Sequence, residues 1–307
     1  MKKVITFATL FITLIIVLAA CGNRNNEPAP TTNNPPANNP PTNNAPTPPP
    51  APSFDTSRVI AVFTREDGSG TRDAFVSITG VGDDMYVEAI VENSTAGIRS
   101  NVVSNEFAIG YISIGSLNAD VKALNIDGVA PSDENVRNGS YGIQRPFTIV
   151  HNRQTSQNEL AQDFIAFMIS SEGQEIASSN WTMVNTNAPA YTTRGLTGTL
   201  RVGGSTSVEP LMQRLREAYL ILNPGVNIEI SGGGSGTGIS EATNGVIDIG
   251  MSSRAVRENE KAALTDIDIA LDGVAVIVNP NNPLTNLSIE QVKQIFTGEV
   301  TRWSGIN

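Results

Sequence analysis

The chain has 307 residues, enough for roughly two ordinary domains of about 100–200 residues each, and it carries 30 acidic against 20 basic residues for a formal charge of −10. That balance argues against nonspecific binding to nucleic acid or to anionic lipid. One cysteine and one histidine exclude an intrachain disulfide and a Cys/His zinc cluster, and no EF-hand loop is present; composition leaves a carboxylate-only metal site open, and neither metal nor cofactor is expected.

Residues 1–21 read as a secretory signal: Lys2-Lys3, an apolar run from Val4 to Leu18, then Leu18-Ala19-Ala20-Cys21. The run falls short of the about 20 apolar residues that a membrane span needs. The Leu-Ala-Ala-Cys ending resembles a bacterial lipobox, whose cysteine is lipid-modified and becomes the mature N-terminus. That the chain's single cysteine stands there favours lipidation of Cys21 over an ordinary signal peptide. Residues 22–53 hold eleven of the 18 prolines and nine asparagines, with no large apolar side chain. Such a segment cannot bury a core and is expected to be a disordered or polyproline-like tether, leaving residues 55–307 as the folded part.

Within that part, strand-like runs at Arg58–Phe63, Ala108–Ile114, Phe147–Val150, Thr199–Val202, Val226–Ile230 and Val274–Val278 alternate with helix-like segments. Leu160, Phe164, Phe167 and Met168, and the series Val208, Leu211, Met212, Leu215, Ala218, Tyr219 and Leu222, keep helical spacing. Ser288 with Gln291 forms a capping box before Val292, Ile295 and Phe296. The alternation predicts an α/β fold with helices covering sheets.

Three junctions pass from a strand through Gly, Ser and Thr into a helix: Asp67–Thr71, Gly203–Ser207 and Gly232–Gly238. A weaker fourth is Ser252-Ser253 before Arg254 and a helix-like Glu258–Leu264. Helix N-termini offer unpaired amides and a positive dipole end, glycine permits close backbone approach, and hydroxyls add donors, so several such ends aimed at one point make an anion site. For any one junction, ordinary capping and turning explains the same residues. Nucleotide motifs do not fit, because residue 237 is threonine where G-x-G-x-x-G needs glycine and no Walker lysine follows. A serine hydrolase lacks its G-x-S-x-G elbow, and His151, the lone imidazole, is expected to be a surface or capping residue. Arg65, two residues before Asp67, fits either a surface ion pair with Glu66 or Asp67 or a fork-shaped donor to a tetrahedral oxyanion.

The run Arg65-Glu66-Asp67-Gly68-Ser69-Gly70-Thr71-Arg72-Asp73-Ala74-Phe75 resembles the signature of the PstS-type phosphate-binding proteins, solute receptors of phosphate ABC importers. Gly204–Leu211, Gly233–Gly238, Asp248–Arg254, Asp272–Asn279 and Ile295–Trp303 resemble further blocks of that family. In the family the Gly-Ser-Thr block opens the chain and the Asp-Gly-Ser-Gly-Thr block follows the Phe-Thr-Gly…Trp block. Here that order is rotated, which reads as a circular permutation joining the old ends through about Tyr191–Gly198, with a fragment of two tandem copies as the alternative.

The resemblance implies a two-lobed periplasmic-binding-protein-like fold of type II, circularly permuted. Crossovers are expected near Gln144–Pro146 and Asn279–Asn282, giving a split lobe of 55–145 plus 280–307 and a continuous lobe of 146–279. It implies a non-enzymatic receptor, lipid-anchored through Cys21 on the outer face of the cell membrane, that binds inorganic phosphate and delivers it to an ABC permease. Phosphate would be held by Arg65, Asp67, Ser69, Gly70 and Thr71 of one lobe and by Thr206, Ser207, Ser235 and Ser253 of the other, with Arg254 as an additional candidate. Where better-known members place a proton-accepting aspartate, this sequence has Ser253. Asp67 is then the carboxylate expected to select protonated phosphate over sulfate, and another tetrahedral oxyanion remains the rival ligand. A surface phosphatase or adhesin on the same scaffold is the rival from another class.

Overall fold

Long runs of β-branched residues that are buried on both faces belong inside a helix-covered sheet, and the chain builds its framework from them. The computed structural model describes residues 53–306, which belong to one compact unit, Pro52–Asn307. The signal, Cys21 and nearly all of the tether lie outside the described residues. Among the described residues no helix is long and apolar enough to cross a membrane.

The first half of the unit runs β1 (Ala61–Arg65), α1 (Gly70–Thr79), β2 (Ile90–Glu92), α2 (Thr95–Ser104), β3 (Ala108–Ser113), β4 (Lys122–Ala123), β5 (Asn125–Ile126), α3 (Asp133–Arg137) and β6 (Gln144–Asn152). It continues through α4 (Glu159–Met168), α5 (Ser171–Ala177), β7 (Gly198–Gly204), α6 (Glu209–Leu222), β8 (Val226–Gly232), α7 (Ser235–Thr243) and β9 (Ile249–Ser252). It closes with β10 (Leu264–Val278), β11 (Asn286–Leu287) and α8 (Ile289–Phe296). The strands follow the order β2-β1-β3-β10-β6-β9-β7-β8, with β4 also on β10 and a separate pair β11-β5.

The order is divided by β10. Its first part pairs antiparallel with β6 from Leu264↔Asn152 to Gly273↔Gln144, and its last part pairs with β3 from Val274↔Ser113 to Val278↔Ile109. Each part serves a different core. Val274–Val278 pack with Phe75, Tyr111, Ile143 and Phe296, whereas Ile269 and Ala270 pack with Phe147, Phe164, Leu211 and Tyr219. Two lobes result, bridged by the adjacent strands β6 and β10. The first crossing falls at Gln144–Pro146. The second lies at Leu271–Gly273 and not at the expected Asn279–Asn282. Residues 274–279 therefore belong to the split lobe: β10 continues as one strand into its sheet, and Asn279 Nδ2 donates to the carbonyls of Val102 and Val103 there.

At this bridge Arg145 and Asp272 face each other, both buried. Arg145 Nη2 lies 3.1 Å from Asp272 Oδ2, and Ser113 Oγ donates to Asp272 Oδ1 at 2.8 Å. Burial raises the Asp272 carboxyl to about 6, while Arg145 and Ser113 pull it back down. The segments at 56–60 and 301–304 lie side by side, with Ile60 N donating to Thr301 O at 2.9 Å and Ser304 N to Thr56 O at 2.7 Å.

Two local expectations change. Glu258–Leu264 is not an α-helix but a turn with one short 3₁₀ segment at Lys261–Ala263, after which β10 begins. Ser253 thus precedes a loop. His151 is buried in β6, opposite Thr265, with Nδ1 3.2 Å from Ser156 Oγ.

Candidate functional site

Each Gly-Ser junction is shaped by short-range rules. Glycines at positive φ, Gly68 (83°) and Gly234 (87°), turn the chain from strand into helix. Ser69 caps α1 by accepting from Arg72 N, and Ser94 caps α2 by accepting from Gly97 N. Ser207 N donates to Ser205 Oγ in the turn before α6, and Gly233 N and Gly234 N both donate to Gly204 O before α7. The leading amides of a helix lack intrahelical acceptors and carry the positive end of its dipole.

These junctions come together between the lobes. Thr71 Oγ1 of α1 lies 2.8 Å from Ser207 Oγ, which lies 3.0 Å from Thr95 Oγ1 at the start of α2. Thr95 N donates to Thr206 Oγ1 at 3.3 Å. Ser253 N donates to Ser235 Oγ at 3.1 Å, and Gly70 sits so close to both serines that a Cβ there would be 2.8 Å from Ser253 Oγ and 3.1 Å from Ser235 Cβ. Gly236 N donates across the lobes to Gly68 O at 2.9 Å. Ser69, Thr71, Ser207, Ser235 and Ser253 are all buried.

Arg65 ends β1 with its side chain only 2% exposed. Nε and Nη2 each donate to Glu66 at 2.8 Å, and Nε also reaches Glu92 O. Its remaining arm, Nη1, lies 3.5 Å from Thr95 Oγ1, on the hydroxyl cluster. The backbone beneath is fixed by Tyr111, whose hydroxyl accepts from Arg65 N and bonds Thr64 Oγ1, while its ring stacks on Phe75 at 4.0 Å. Arg65 is therefore neither of the simple alternatives: it is a buried ion pair with Glu66 that also presents one donor edge to the site.

Two candidates fall outside this cluster. The Asp67 side chain is 96% exposed and paired with Arg72. Its loop ends in the Ser69 cap, which turns the carboxylate to solvent, so it is not placed to filter anions; the carboxylate beside the site is Glu66. Arg254 is held bidentate by Glu260 at 2.8 Å and lies 2.9 Å from Asp73 Oδ2, so its charge serves carboxylates outside the hydroxyl cluster. Thr95 joins the site without a motif of its own in the sequence; Ser94, a residue type suited to a helix N-cap, is the one local mark beside it. Among the described residues no group of three or more His, Cys, Asp or Glu is placed to hold a metal.

Two lobes joined by paired crossing strands, with helix starts from both meeting at one cluster of buried hydroxyls, define a binding protein of the periplasmic type. The PBP superfamily domain model matches residues 55–172 and 186–305. The "Phosphate-binding protein PstS 2" of Streptococcus pneumoniae is 44% identical over 259 residues, 81% of this chain and 88% of the relative. That of Streptococcus agalactiae is 39% identical over 265 residues, covering 83% and 90%. A crystal structure of a phosphate ABC transporter's phosphate-binding protein from Streptococcus pneumoniae aligns with TM-score 0.66 and 43% identity, covering 81% of this chain and 100% of that one. The chain belongs to the PBP superfamily, and within it to the PstS-type proteins.

Proposed function

We propose that this protein is a lipid-anchored receptor on the outer face of the cell membrane that binds inorganic phosphate between its lobes and passes it to an ABC permease, with no catalytic step. The observation that carries the reading is the meeting of four helix starts, two from each lobe: those of α1, α2 and α6 at the Thr71–Ser207–Thr95 hydroxyls, and that of α7 through Ser235 against Gly70 of α1. An oxyanion leaves water only if donors replace its hydration. Here amides of α1, α2, α6 and α7, hydroxyls of Thr71, Thr95, Thr206, Ser207, Ser235 and Ser253, and Nη1 of Arg65 supply them. Because the donors come from both lobes, a bound anion favours the closed state, and closure reports occupancy to the permease. The names of the relatives point to the same ligand.

Hydroxyls can accept a hydrogen bond from a protonated phosphate oxygen as well as donate one to an oxyanion. With Asp67 at the surface and Glu66 engaged by Arg65, neither carboxylate is free to act as the expected filter, so a second tetrahedral oxyanion is the alternative ligand. The rotated order of the family's motifs and the adjacency of segments 56–60 and 301–304 support a circular permutation. Labelled phosphate retained by the purified protein on a filter tests the reading. One phosphate per chain with a chromogenic phosphoester left uncleaved supports it, and absent retention or turnover of the ester refutes it. Anchoring is checked separately: Cys21→Ala should move the protein from the membrane to the soluble fraction.

A further inference from the structure

Outside the hydroxyl cluster the lobes meet again through charge. Asp73 lies in the first turn of α1, and its Oδ2 is 2.6 Å from Arg257 Nη2 and 2.9 Å from Arg254 Nε, both on the loop after β9 in the other lobe. That loop is prepared for the contact. Glu260 grips Arg254 through two bonds of 2.8 Å and accepts from Arg257 N at 2.8 Å. The rim is joined rigidly to the site, because Asp73 follows Thr71 by two residues and Arg254 directly follows Ser253.

We propose that Asp73, Arg254 and Arg257 form a clasp between the lobes that holds the receptor closed and sets how fast phosphate leaves. The clasp rests on the phosphate-receptor reading only for its effect on the ligand. Asp73 is a positioning residue: it acts by holding Thr71 against Ser207, not by touching the anion. On opening, Arg254 keeps Glu260, whereas Asp73 loses both guanidinium partners, since its neighbour Arg72 pairs with Asp67. The charged part of the contact between the lobes thus converges on one carboxylate. Asp73 is 24% exposed and Arg254 8%, so their attraction exceeds that of a fully exposed pair yet is still screened by salt. Interactions that form only in the closed complex act mainly on the dissociation rate.

The test compares the full-length wild type, Asp73→Asn and Arg257→Gln. Asp73→Asn should release phosphate roughly tenfold faster with an association rate within about twofold of wild type. Wild-type release should quicken between about 0.05 M and about 0.5 M sodium chloride, as the Debye length shortens, and the Asp73→Asn rate should not. Arg257→Gln should shift release in the same direction by less, and the phosphate-to-arsenate preference should stay fixed in both variants, as expected of residues that do not touch ligand. In small-angle scattering without ligand, Asp73→Asn should have a larger radius of gyration than wild type. Equal release rates, or salt-dependent release persisting in Asp73→Asn, would overturn the clasp. Should wild type bind no phosphate at all, the receptor reading fails, and equal radii of gyration would then overturn the clasp independently.

Discussion

Replacing Gly70 by alanine tests whether closure of the lobes makes the site. Gly70 is the first residue of α1, and an added methyl would overlap Ser235 Oγ while lying 2.8 Å from Ser253 Oγ and 3.1 Å from Ser235 Cβ. Carbon contacts are relaxed only at about 3.5–4.0 Å, so the facing elements must part by roughly 0.5–1 Å. Rotating Ser235 Oγ away does not suffice, because Ser235 Cβ remains and the bond to Ser253 N is lost. The same displacement stretches the 2.8 Å Thr71–Ser207 contact to or beyond the limit of a hydrogen bond. Bonds to a charged partner contribute about 1.5–3 kcal/mol each, so losing one or two lowers phosphate affinity by about 2–4 kcal/mol, roughly 30- to 700-fold. The fold should not suffer, since alanine is a better helix former than glycine by about 0.5–1 kcal/mol. Calorimetric titration beside a thermal melt separates the two effects. Gly70→Ala binding phosphate within about threefold of wild type at an unchanged Tm would show that close approach of the lobes at Gly70 does not make the site, since about 0.7 kcal/mol is less than one such bond.

Arg65→Ala should weaken phosphate binding by about 2–5 kcal/mol, because it removes the guanidinium and leaves Glu66 unpaired beside the anion; calorimetry checks it. Asp67→Asn should leave the phosphate-to-sulfate affinity ratio unchanged when both anions are titrated, since its carboxylate faces solvent and Arg72. Asp272→Asn should remove a pH slope in stability. Burial raises this carboxyl from 3.8 to about 6, so its contribution is fully present below pH 3.8 and is lost as pH rises through 6. Chemical denaturation at pH 4 and pH 7 should show the difference between wild type and variant changing by about 2–3 kcal/mol.

What was legible in the sequence was what short-range rules decide. Gly68, Ser69 and Gly234 are demanded by local backbone turns and caps, and the buried run Val274–Val278 reads as a strand from its residue types. The two-lobed fold followed from the motifs that these residues carry. Partners set by packing were not legible. Thr95 reaches the site only because α2 lies beside the Ser205–Val208 turn, with no glycine-rich lead to mark it. Asp67 and Glu66 are equivalent in composition and adjacent, and only the approach of Arg65 and Arg72 from either side decides which carboxylate turns inward. The first half of β10 was hidden because Asp266 and Asp268 break its apolar run. Those two are surface positions of a strand whose other face packs on Phe147 and Ile149. The crossing at Leu271–Gly273 was masked by the same continuity, since one unbroken strand serves two cores.

The central claim is that helix starts from both lobes make one anion site. A crystal structure of the full chain grown with phosphate tests it most directly. One phosphate is expected, enclosed between the lobes in hydrogen-bond contact with the Gly70–Thr71 end of α1, with Ser207 and Ser235 of the other lobe, and with Arg65 Nη1. Phosphate bound to one lobe alone, or seated against Asp67 and Arg254 outside the hydroxyl cluster, would contradict it.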